Sequence, residues 1–167
     1  MPNPPTETPS PDDDRRFLRR ALSLAAENVE HGDGGPFGAL IVQNGRVIAE
    51  ARNRVLSQND PTAHAEVEAI RAACRKSGHF HLEGAVLYAS SEPCPMCLAA
   101  AYWARVGRVV YANSRLQAAK AGFDDVDLYR ELCLPAANRR ILVSQLTLTE
   151  ADAPFTAWQN SPKRQIY

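Results

Sequence analysis

Apolar residues at Phe17, Leu18, Ala21, Leu22, Ala25 and Val29 recur at helical spacing, which predicts a helix over about 14–31 with Gly32 as its stop. Gly34-Gly35-Pro36 breaks the chain before a continuous apolar run at 37–43, a strand. Asn44-Gly45 is a strong hairpin signal and turns the chain into a return strand at 46–51. Residues 52–62 read as loop. A helix follows over 63–77 and stops at Gly78, then a strand at 85–90, a helix at 95–105 and a strand at 108–112. Beyond residue 113 the pattern weakens. It predicts helical turns near 115–121 and 126–133, a strand over 141–148 and a last helix near 155–161. An opening hairpin followed by alternating helices and strands predicts an α/β fold: a three-layer α/β/α sandwich with a mixed central sheet.

Residues 1–14 stand apart, with five of the twelve prolines, four acids and no base. They read as a disordered, Pro-rich leader before one domain over 15–167. Across the chain, 45% hydrophobic and 23% charged residues match a globular domain able to fold without disulfides. No run reaches the roughly 18–20 apolar residues that span a bilayer, and no secretory signal is visible, so a cytoplasmic protein is expected. Lys plus Arg and Asp plus Glu are both 19, and the basic excess of the body gathers at Arg15, Arg16, Arg19 and Arg20. A nucleic-acid-binding domain shows a broader basic footprint, so no nucleic-acid partner is expected.

Four cysteines without a secretory signal argue against disulfides. Two form Cys94-Pro95-Met96-Cys97, thirty residues after His64 in Pro61-Thr62-Ala63-His64-Ala65-Glu66. One imidazole and two thiolates make three ligands for Zn²⁺, leaving the fourth tetrahedral position open to water, as in catalytic sites. Pro95 suits the first position of a helix, which puts Cys94 at the cap and Cys97 one turn on. Within a regular helix, His64 and Glu66 would diverge by about 200°. His64 is therefore expected at the very start of its helix, where both side chains can meet one site. Glu66 then stands as proton carrier beside the water rather than as ligand. The structural alternative is a closed zinc site with a fourth side chain. Cys74 lies about three turns into the helix, too far to serve, and His79 and His81 read as surface loop residues.

An H-x-E followed by P-C-x-x-C is the zinc-deaminase signature. On these residues the chain resembles the cytidine deaminase superfamily and, within it, the bacterial guanine deaminase family. Gly34-Gly35-Pro36-Phe37-Gly38, Asn59 to Val67, Glu92 to Cys97, Tyr102-Trp103-Ala104-Arg105, Ala121 to Asp125 and the terminal Tyr167 carry the likeness. The resemblance implies hydrolysis of guanine to xanthine and ammonia, with one Zn²⁺ per subunit and a water as its fourth ligand. His64, Cys94 and Cys97 would hold the metal, and Glu66 would carry protons while activated water attacks C2 of the purine. It also implies substrate contacts from Asn53, Phe37, Ala65, Trp103, Phe123 and Tyr167, and a second active-site acid in Asp125. A homodimer is implied, in which the segment from about 122 to 167 is exchanged between subunits.

Flat apolar walls with a few placed hydrogen-bonding groups suit a purine, and Phe, Asn and Asp supply them. Read without the resemblance, Phe37 is more often a core residue than a pocket one, Asn53 can be a turn residue and Asp124-Asp125 a helix cap. Ser90-Ser91-Glu92 departs from relatives that carry a cysteine before the glutamate. Rival readings are a deaminase of guanosine, isocytosine or an aminotriazine, a tRNA adenosine deaminase, and a zinc-stabilised interaction module without turnover. The neutral charge and the ending 152–160 speak against the RNA enzyme, and the presence of Glu66 against the inert module.

Overall fold

The structure, a computed structural model, describes residues 9–123 and 125–166. Helix α1 (Pro11–His31) is capped at Ser10, whose hydroxyl accepts the Asp13 N–H at 3.2 Å. Pro11 opens its first turn and Asp12, Asp13 and Asp14 meet the positive end of its dipole. Residues 11–14, expected in the disordered leader, are thus helical; proline and acids suit a first helical turn as well as a solvated tail. Residues 1–8 lie outside the described residues. The buried stripe of α1 is Phe17, Ala21, Leu24, Ala25 and Asn28, whereas Leu22 and Val29 are exposed.

Strands β1 (Gly38–Gln43) and β2 (Arg46–Arg52) form the predicted hairpin, with Asn44 and Gly45 both at positive φ. The expected loop at 52–62 contains a short helix, α2 (Val55–Gln58), held by the Leu56 and Ser57 N–H groups donating to the Asp33 carbonyl. Then come α3 (Ala65–Ser77), β3 (Val86–Ser91), α4 (Pro95–Trp103) and β4 (Arg108–Asn113). The sheet order is β2-β1-β3-β4; β1 runs antiparallel to both neighbours, and β3 runs parallel to β4.

The period of two along β1 and β3 divides the core between the two faces. Leu40, Val42, Val86 and Tyr88 pack against Phe17, Ala21 and Leu24 of α1. Ala39, Ile41 and Leu87 pack against Ala65, Ala69, Ile70 and Ala73 of α3, with Ala101 of α4. The architecture is therefore the three-layer α/β/α sandwich on a mixed sheet. At one end of the sheet Asp14 accepts Arg108 N–H bonds at 3.1 and 2.6 Å and the Tyr88 hydroxyl at 2.6 Å, tying α1 to β3 and β4.

Beyond β4, α5 (Arg115–Lys120) opens with a reciprocal cap between Ser114 and Gln117. Helix α6 (Asp125–Cys133) follows. The chain up to Arg130 forms one compact unit and Glu131 onward a second. In the second, Arg139 donates to the Leu132 and Leu134 carbonyls around a 3₁₀ turn (Ala136–Asn138), and α7 (Ala153–Gln159) lies near the end. Among the described residues, 141–148 forms no strand, against expectation, because a strand needs a pairing neighbour and the segment has none. No described helix is long and apolar enough to cross a membrane.

Candidate metal centre

Two helix starts converge on one point. His64 caps α3 with extended backbone (φ −69°, ψ 152°), so its ring leaves the helical path that Glu66 follows. Cys94 caps α4 in the same way (φ −65°, ψ 168°), with Pro95 at the first helical position and Cys97 a turn further on. The dipoles of both helices favour anionic sulfur here.

The three donors form a near-equilateral triangle. Cys94 Sγ and Cys97 Sγ are 3.6 Å apart, and His64 Nδ1 lies 3.7 Å from Cys94 and 3.5 Å from Cys97. A tetrahedral zinc with Zn–S of about 2.3 Å and Zn–N of about 2.0–2.1 Å requires separations of about 3.8 Å between sulfurs and about 3.6 Å between sulfur and nitrogen. The donor set and its spacing fit zinc. The charge state fits too. Sharing a hydrogen bond with Cys97 pulls the Cys94 thiol down to about 4, with His64 assisting against burial. That same bond, together with burial, holds Cys97 protonated far above the usual thiol range, and a cation between the sulfurs removes this obstacle.

Glu66 stands beside the triangle, with Oε2 3.5 Å from Cys97 Sγ and only 7% of the residue exposed. Burial raises its carboxyl to about 7. Among the described residues His64, Cys94 and Cys97 are the one group of three with metal-ligand spacing, so Cys74, His79 and His81 stand outside it.

Above the triangle lies a cavity of about 440 Å³, lined by His64, Glu66 and Cys94 together with Gly34, Gly35, Phe37, Asn53, Val55, Leu56, Glu92, Phe123 and Asp125. Phe37 and Phe123 meet edge to face, their centroids 4.7 Å apart. Asn53 is buried at the end of β2; its Oδ1 accepts the Val55 N–H at 3.1 Å, leaving the NH₂ as the donor it offers. Glycine is required at the adjoining turn. A Cβ on Gly34 would stand 2.1 Å from Asn53 Oδ1, and one on Gly35 would strike the Phe37 ring at 2.8 Å. Behind them Asn28 donates to the Gly35 carbonyl at 2.7 Å and the Asn53 carbonyl at 2.9 Å.

Of the expected site residues, the structure brings together His64, Glu66, Cys94, Cys97, Asn53, Phe37, Phe123 and Asp125. Ala65 is placed otherwise: its methyl enters the core against the sheet. Trp103 closes α4 at 70% exposure and is not among the residues lining the cavity. Tyr167 lies outside the described residues.

Phe123 and Asp125 line the cavity beside the metal ligands. Glu92, Val55 and Leu56 line the cavity without having been expected there. Glu92 was legible as part of the Glu-Pro-Cys run; Val55 and Leu56 gave no signal, because their helix was read as loop.

Residues 11–113 match the family described as "Cytidine and deoxycytidylate deaminase zinc-binding region". The chain is 54% identical to guanine deaminase of Bacillus subtilis over 151 residues, 90% of this chain and 97% of that protein. It is 39% identical to the tRNA-specific adenosine deaminase of Aquifex aeolicus over 135 residues, 81% of this chain and 86% of that one. Its fold superposes on the X-ray structure of the Bacillus subtilis guanine deaminase with a TM-score of 0.89 at 53% identity, covering 92% of this chain and 98% of the other.

Proposed function

Since the chain belongs to the zinc-binding cytidine and deoxycytidylate deaminase family, we propose that it hydrolyses guanine to xanthine and ammonia. One observation carries this reading. The His64–Cys94–Cys97 triangle and the buried carboxyl of Glu66 share the floor of a cavity walled by Phe37 and Phe123.

His64, Cys94 and Cys97 would hold the zinc, which when bound would act as a Lewis acid and lower the pKa of a water to about 7. Glu66 takes a proton from the attacking water and returns it to the amino nitrogen leaving C2. The balance is guanine plus water to xanthine plus ammonia. The edge-to-face pair of Phe37 and Phe123 offers the ring one apolar wall, the Asn53 NH₂ donates to an acceptor on its edge, and the Asp125 carboxylate receives its N–H donors.

The site operates in a homodimer whose segment from about 131 onward is exchanged between subunits. Ile141, Leu142 and Leu146, exposed at 78%, 86% and 84%, and the open outer edge of β4 support this. The compartment is the cytoplasm, where all four cysteines stay reduced, as the metal ligands require.

Ammonia release from guanine, guanosine, adenine, cytosine, cytidine and an aminotriazine, with and without a chelator, tests the reading. Guanine is expected to be fastest and the chelator to abolish its turnover. Glu66→Ala is expected to retain one zinc per chain and lose at least about 10²–10⁴-fold in kcat. Wild-type turnover by that variant, or preference for an adenine substrate, would refute the proposal.

A further inference from the structure

Tyr129 lies one helical turn beyond Asp125 on α6, so both side chains share a face of that helix. Its hydroxyl donates to the Pro93 carbonyl at 2.8 Å, and Pro93 immediately precedes the metal ligand Cys94. Its ring lies beneath the Arg115 guanidinium, whose Cζ is 4.2 Å from the ring centroid. Arg115 is itself anchored to the cavity: Glu92 receives its backbone N–H at 2.9 Å and pairs with its Nε at 3.2 Å. The Glu92 N–H in turn donates to the Asn113 carbonyl on β4 at 2.7 Å. These contacts of Tyr129 thus run to the loop carrying the metal ligand and to the first residue of α5.

Given the guanine reading above, we propose that Tyr129 is a positioning residue: it latches α6, and with it Asp125, to the Cys94 loop of the same chain. Without the latch, α6 and the Asp125 it carries lose a tie to the Cys94 loop. One turn of helix, about 5.4 Å, separates the fixed point from the carboxylate, so a small tilt of α6 displaces the acid by a fraction of an ångström to about 1 Å. Displacements of that size cost up to about a hundredfold in rate. The latch also lies just before Glu131, where the second compact unit begins, and so it keeps Asp125 in its own site wherever the following segment packs. Burial raises the Tyr129 hydroxyl above the usual phenol range.

The test is a double-mutant cycle on the zinc-loaded full chain, pairing Tyr129→Phe with Asp125→Ala. Tyr129→Phe removes one oxygen and leaves the ring under Arg115. It is expected to retain one zinc per chain and lower kcat/KM for guanine about tenfold. In the Asp125→Ala background the same change is expected to cost less than about twofold. Affinity for the product xanthine, measured in the same four proteins, closes the cycle where turnover falls below detection. Equal losses in both backgrounds, loss of zinc, or no loss in either would overturn the latch. A wild-type chain inactive on guanine would refute the function reading instead.

Discussion

Gly34 brings no reacting group to the site, yet the Asn53 amide occupies the space a side chain would fill. Gly34→Ala is expected to expel that amide from its bond to the Val55 N–H, lowering stability by about 1–3 kcal/mol. KM for guanine should rise more than kcat falls, and steady-state kinetics beside a thermal melt check both. Asn28 works behind the same turn, spanning the Gly35 and Asn53 carbonyls while its own Oδ1 is buried without a partner. An unpaired buried acceptor costs stability, so the residue serves the loop rather than the core. Neither contribution is legible in a hydrophobic pattern, where Asn28 merely interrupts an apolar stripe.

At the scale of elements, two helix starts build the metal centre, and a third helix start secures the sheet that carries it. Asp14, in the first turn of α1, is partly desolvated, but the Arg108 fork and the Tyr88 hydroxyl outweigh burial and hold its carboxyl below the usual range. A carboxyl whose pKa is depressed on folding stabilises the protein above its unfolded pKa of about 4, and loses that contribution as pH falls through the lowered folded value. Asp14→Asn is therefore expected to cost about 1.5–3 kcal/mol at pH 7. The deficit should shrink on acidification below about pH 4, with denaturant melts across pH as the measurement. A deficit independent of pH would assign the contact to packing alone.

For the whole molecule, the decisive feature is the exposed apolar chain after Arg130. Ile141, Leu142 and Leu146 are exposed apolar side chains within one short segment, which fits a segment whose cover comes from a second copy. Sedimentation of the full chain is expected to give a dimer, and Leu142→Asp with Leu146→Asp a monomer with reduced activity. A monomeric wild-type chain would remove the exchange.

Apart from the short α2, period and punctuation in the sequence determined the order of helices and strands up to Asn113, since each buries one face and is stopped by a local signal such as Asn44-Gly45 or Gly78. The ligand set was equally legible, because a proline after Cys94 and the divergence of His64 from Glu66 both demand helix caps. Tertiary structure alone decided the rest. Trp103 is exposed, Leu56 reaches the cavity from a helix read as loop, and among the described residues 141–148 forms no strand. Each of these outcomes depends on contacts between segments far apart in the chain, and local spacing carries no record of which distant surface a side chain will meet.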